Sequence, residues 1–132
     1  MDHLALRLKD VKEAGVYMVT CELDDVRAAA KEAGFVLFDV DMKGVHSKSE
    51  FLAAIAQKIE APEWFGKNWD ALADALADLS WKNAPGYVLL LVNCSTNFNL
   101  LADDHDVAKD IMASTVDYWK TQGKPFWVLH AE

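Results

Sequence analysis

The apolar positions of this chain change period along its length, and the changes mark elements. Val16-Tyr17-Met18-Val19-Thr20, Phe35-Val36-Leu37-Phe38-Asp39-Val40, Tyr87-Val88-Leu89-Leu90-Leu91-Val92 and Phe126-Trp127-Val128-Leu129 are short apolar runs bounded by turn residues. They predict four strands. The second and third are apolar almost throughout, as parallel strands covered on both faces are. Between the runs the period lengthens to that of a helix. Val26, Ala29, Ala30 and Ala33 line one side of a segment that Asp24 opens as a cap and Gly34 stops. Ser47-Lys48-Ser49-Glu50 is a capping box ahead of Phe51, Leu52, Ile55 and Ile59, and that helix ends before Pro62.

Leu72, Ala75, Leu76 and Leu79 mark the buried side of a further helix, and Val107, Ile111 and Tyr118 that of a long one from about Asp104 to Gly123. Near the start, Leu4, Leu8 and Val11 predict a short helix that ends before Gly15, and Lys82-Asn83-Ala84-Pro85-Gly86 reads as a loop. Strands that alternate with helices imply an α/β fold with a small, mainly parallel sheet and helices packed on it. No linker, repeat or low-complexity segment divides the chain, so residues 1–132 are expected to form one domain.

The helix marked by Leu72 carries a second pattern. Asp70, Asp74 and Asp78 recur at i, i+4 and i+8, which stacks them on the face opposite the leucines. Each like-charged pair costs about 0.2–0.5 kcal/mol, and no Lys or Arg lies within the helix to offset it. Asn68 is placed to cap this helix, and Asp70 falls in the first turn, where the macrodipole favours an anion. Directly before it, Pro62, Trp64, Phe65 and Gly66 make an aromatic turn, and Trp69 opens the helix. An acidic helix face alone is ordinarily solvated surface. Aromatic residues beside it point instead to a docking surface. Phe65 and Trp69 are expected in the core and Trp64 at least partly exposed.

Charge sharpens this. The net charge of −8 comes with no basic patch, which argues against nucleic-acid binding and favours a basic protein partner. His3, His46, His105 and His130 are scattered without metal-ligand spacing, and Asp103-Asp104-His105-Asp106 reads as a helix start. There is no glycine-rich phosphate loop and no Gly-x-Ser-x-Gly turn. Asp70 and Asp74 are close enough in sequence to hold a divalent cation or to split their pKa values as acid and base, but no third ligand accompanies them. The reading is therefore a non-enzyme without cofactor or metal. Cys21 and Cys94 each follow an apolar run and are expected to be reduced thiols that act as small hydrophobes. Neither a signal peptide nor a membrane-spanning stretch is visible, and a cytoplasmic location is expected.

The run Pro62-Glu63-Trp64-Phe65-Gly66-Lys67-Asn68-Trp69-Asp70-Ala71-Leu72, followed by Asp74 and Leu76, resembles the signature of the barstar family of intracellular ribonuclease inhibitors. The resemblance extends more loosely over residues 35–129 and leaves residues 1–34 as an N-terminal strand and helix extension. It implies three family strands, to which the extension adds a fourth. It also implies an immunity-like function: the turn aromatic and two aspartates enter the active site of a basic, secreted, barnase-like ribonuclease, where carboxylates replace substrate phosphates. Those positions are Trp64, Asp70 and Asp74, with Gly66 and Asn68 shaping the approach. The chain also departs from the pattern. Ala73 stands where the best-known member has a contacting Trp, Ala77 and Asp78 correspond to small residues there, and Tyr118, beside Asp117, stands where that member supplies a Glu. Such a rim also fits a binding module for another basic protein.

Overall fold

A computed structural model describes residues 3–62 and 68–132. The elements run α1 (His3–Leu8), β1 (Val16–Met18), α2 (Leu23–Ala33), β2 (Val36–Asp41), α3 (Lys48–Ile59), α4 (Trp69–Leu76), β3 (Tyr87–Val92), α5 (Ala102–Thr121) and β4 (Phe126–His130), with a 3-10 turn at Ser80–Lys82. All four strands are parallel, in the order β1-β4-β3-β2. The N-terminal strand thus joins the sheet beside β4, at the edge opposite β2. It is shorter than its apolar run, although Val19 continues the ladder by donating to the His130 carbonyl at 2.8 Å.

Strand alternation sorts the two faces. Leu37, Val88 and Trp127 lie opposite one another in register, as do Val36, Tyr87 and Phe126 on the other face. The Trp127 indole reaches α1, and Arg27 of α2 reaches Asp39 at 2.6 Å, so α1 and α2 cover the Trp127 face. On the other face Trp119 of α5 packs on Tyr87, and Phe51 of α3 stacks on Phe98, which meets His130 edge-on. α4 sits there too, in contact with α3 and α5. The result is a three-layer α/β/α arrangement.

Only the inner strands are covered on both sides. Every residue of β4 is buried, and so is β3 as far as Leu91. β2 was expected to be like them, but it is an edge strand: Phe38 and Val40 are buried, Val36, Leu37 and Asp39 half-buried, and Asp41 exposed. Its apolar start is indistinguishable from that of an inner strand, because strand order is set by crossovers and not by composition.

Local signals place most helix ends. Ser47 Oγ accepts the Glu50 amide at 3.2 Å, and the Glu50 carboxylate accepts the His46 amide at 2.9 Å, a capping box shifted by one residue. Gly34 closes α2 in the left-handed conformation at φ 77°. Asp24 does not cap α2, however. Glu22 holds that position without a side-chain bond, and Asp24 falls in the first turn, bound to Arg27 at 2.9 Å. The buried stripe of α5 is likewise Ala108, Met112, Thr115, Val116 and Trp119, whereas Val107 and Tyr118 are exposed. Two stripes of α5 have helical spacing. The wider one, headed by Trp119, won burial even though Thr115 interrupts its apolar pattern.

Three of the five tryptophans do one job. Trp127 donates to the carbonyl of Leu8, Trp81 to that of Ile59 and Trp119 to that of Leu76, each at 2.8 Å. These acceptors are the last residues of α1, α3 and α4. A helix leaves its final carbonyls without internal partners, and an indole N–H needs an acceptor when buried. Each pairing satisfies both needs and fixes a helix end to another element.

Candidate functional site

The acidic helix is built as its sequence implies, up to its last turn. Asn68 is extended at φ −143° and ψ 169°, and its Oδ1 accepts the Ala71 amide at 2.7 Å. Leu72, Ala75, Leu76 and Leu79 are fully buried. That orientation leaves Asp70 and Asp74 exposed one turn apart, with Ala73 half-buried beside them. The helix stops at Leu76, with Ala77, also half-buried, at its C-cap. The amides of both Asp78 and Leu79 turn back to the Ala75 carbonyl, and Leu79 adopts a left-handed φ of 48°. Asp78 is exposed, but it lies past the helix rather than on its third turn. The spacing that suggested a three-aspartate row is real; the helix is one turn too short to carry all of it.

The surrounding contacts hold the segment without neutralising it. Trp69 is half-buried against Phe51, 5.9 Å between ring centroids, and the Lys48 ammonium lies 5.8 Å from its ring. Trp81 and an ion pair between Lys82 and Glu60 secure the chain where it leaves α3. Trp64, Phe65 and Gly66 lie outside the described residues. Among the described residues, the ion pairs are Arg7–Glu13, Arg27–Asp24, Arg27–Asp39 and Lys82–Glu60; none engages Asp70, Asp74 or Asp78. These carboxylates are exposed and have no side-chain hydrogen-bond partner among the described residues.

Sequence reasoning did not single out Trp119 as a support of this helix, or Trp81 as a support of the end of α3 before it. The available signal was a Trp at the end of an amphipathic stripe, whose N–H must find an acceptor once buried. Elsewhere, a cleft of about 200 Å³ opens beside β1, lined by Leu4, Leu8, Tyr17, Cys21 and Trp127. It belongs to the α1/α2 layer, on the side of the sheet away from α4. Cys21 is exposed there, contrary to its expected core role, while Cys94 is buried and its thiol is pushed up to about 12 by desolvation. No group of three or more His, Cys, Asp or Glu among the described residues is placed to hold a metal ion, and no described helix is long and apolar enough to cross a membrane.

A parallel α/β protein with exposed carboxylates on a short helix, capped at one end and hydrogen-bonded to α5 at the other, defines a class: an α/β scaffold with an acidic helix on its surface. The particular family follows from the sequence. The profile of barstar, the barnase inhibitor, matches residues 35–131, and the chain belongs to the barstar family. The match covers β2 to β4 and the α3–α5 layer, and leaves α1, β1 and α2 outside it. No curated protein matches the chain.

Proposed function

We propose that this protein inhibits a barnase-type ribonuclease by seating α4 in the enzyme's active site. The observation that carries this reading is the pair Asp70 and Asp74, exposed on one face of a capped helix and with no ion-pair partner among the described residues. Ribonucleases bind phosphate with clustered Arg, Lys and His, and a fixed carboxylate makes charge-assisted hydrogen bonds to the same donors. Asp74 is the central anchor and Asp70 its companion. Trp64 packs on the enzyme rim, Gly66 lets the turn approach closely, Asn68 holds the helix start, and the small side chains of Ala73 and Ala77 allow close contact. Asp78, past the helix end, contributes mainly to long-range attraction.

The net charge of −8 supports electrostatic steering toward a basic enzyme. Steering of this kind is best known from barnase and barstar themselves, which serve as a standard illustration of the effect. The protein works by occlusion, without chemistry, cofactor or metal of its own, in the cytoplasm.

The test is inhibition of barnase and related small ribonucleases by the purified protein, with Asp74→Ala alongside. Truncation leaves the enzyme's cationic donors buried without a partner, which costs about 2–5 kcal/mol of binding. Equal inhibition by wild type and Asp74→Ala would remove Asp74 as the anchor. A second reading, a binding module for a different basic protein, is favoured by Ala73 and by the exposed Tyr118 on α5, where the best-known family member has Trp and Glu. Absence of inhibition across the ribonuclease panel would select it.

A further inference from the structure

α4 has eight residues, too few for helix propensity alone to hold it. Burial of Leu72, Ala75 and Leu76 holds its apolar face, and bonds at its two ends fix where it starts and stops. Asn68 secures the start. At the finish, the Ala73 carbonyl accepts the Ala77 amide and the Ala75 carbonyl accepts those of Asp78 and Leu79, while the carbonyl of the fully buried Leu76 receives the Trp119 indole N–H at 2.8 Å. The indole is itself held firmly. It is 6% exposed, its ring lies 5.3 Å from Tyr87 of β3, and the Lys124 ammonium stands 5.6 Å from it. Beside the burial of Leu76 and Leu79, this hydrogen bond ties the end of α4 to α5 and, through Tyr87, to the sheet.

Asp74 lies two residues before Leu76, inside the turn that would fray first if that carbonyl lost its donor. A fraying turn spreads the carboxylate over many positions, and each must be frozen out on binding. We infer that Trp119 is a positioning residue for partner binding: it touches no partner, but it fixes the direction of the Asp74 carboxylate by closing the C-terminal end of α4. The inference rests on the reading of α4 as the ribonuclease-binding face.

The protein supplies its own control. Trp127 makes the same bond, at the same distance, to the last carbonyl of α1 on the opposite side of the sheet, and is similarly buried at 4% exposure. Trp119→Phe and Trp127→Phe therefore inflict one chemical lesion in two places. Hydrogen exchange of the α4 amides and the dissociation rate from an inhibited ribonuclease are measured for both.

Trp119→Phe is expected to speed α4 exchange and dissociation about tenfold, while Trp127→Phe, at a similar loss of denaturant midpoint, leaves both within about twofold. In an Asp74→Ala background the effect of Trp119→Phe on dissociation should shrink to less than about twofold, because its route runs through that carboxylate. Equal effects of the two variants on dissociation, or unchanged α4 exchange in Trp119→Phe, would overturn the inference. If wild type inhibits no ribonuclease, the binding reading fails separately, and the exchange comparison alone decides whether Trp119 holds the helix. If Trp119→Phe does not fold, 3-benzothienylalanine at position 119 keeps the bicyclic shape while replacing the N–H by sulfur, and the same two outcomes apply.

Discussion

α1 and α2 cover Trp127 and Leu129 on one face of the sheet, while α3, α4 and α5 cover Phe126, Val128 and His130 on the other. Both layers are amphipathic, and both carry exposed carboxylates outside the ion pairs of the described residues, Asp25 and Glu32 of α2 among them; they differ in how the charges nearest the sheet and nearest α4 are engaged. In the first, Arg27 is engaged by Asp39 and Asp24, whose hydrogen bonds hold the guanidinium above its ordinary value, and Arg7 meets Glu13. In the second, Asp70 and Asp74 have no counter-ion among the described residues. The first layer covers the sheet; in the function proposed above, the second also presents a surface. The first lies almost wholly outside the matched residues 35–131, and the second lies inside them.

Removing the first layer is the harshest way to break this comparison. Deleting residues 1–34 would expose Val88, Leu90, Trp127 and Leu129, each at most 7% exposed in the intact protein. Exposing a large apolar side chain costs about 1.5–3 kcal/mol, and a domain has only about 5–15 kcal/mol to lose. The shortened chain should show no cooperative thermal transition by circular dichroism and should bind a hydrophobic dye. A cooperative melt near that of the full chain would show that the first layer is dispensable.

A gentler change acts under the second layer. The His130 ring is buried against Phe98, and its Nδ1 has no hydrogen-bond partner. Burial holds its pKa below the ordinary histidine value; the Glu132 carboxylate opposes this and His105 adds to it. As pH falls through about 6.5, the unfolded chain takes up a proton that the folded chain refuses, so stability falls toward acid. His130→Phe should flatten the dependence of the denaturant midpoint between pH 7 and 5. An equally steep slope in the variant would assign acid sensitivity to other groups.

The least disruptive probe leaves the fold intact and only sharpens the contrast. Cys21, exposed beside β1, should react with a thiol reagent in the native state. Cys94, buried and with a thiol pushed up to about 12, should react only on unfolding. Native labelling at both positions would mean that the loop after β3 opens readily.

Local signals were legible where a few neighbouring residues decide the outcome. Asn68 with the Ala71 amide, Ser47 with Glu50, and Gly34 with its positive φ each act within about one turn, so their residue types suffice. The buried face of α4, and hence the outward direction of Asp70 and Asp74, follows from Leu72, Ala75, Leu76 and Leu79 alone. The length of α4 was less legible, because the left-handed turn at Leu79 is not a conformation that leucine favours.

By itself, the sequence determined the alternation of strands and helices, the polarity of the acidic helix and the signature of the barstar family, since each rests on periodicity or on adjacent residues. Only the tertiary structure decided that β1 would pair with β4, that β2 would lie at an edge, which stripe of α5 would be buried, and that the indoles of Trp81, Trp119 and Trp127 would close three helices. Those outcomes join residues 22, 43 and 119 positions apart in the indole contacts alone. Their physical cause is competition among surfaces for burial and among buried donors for acceptors, which is settled only when the whole chain packs.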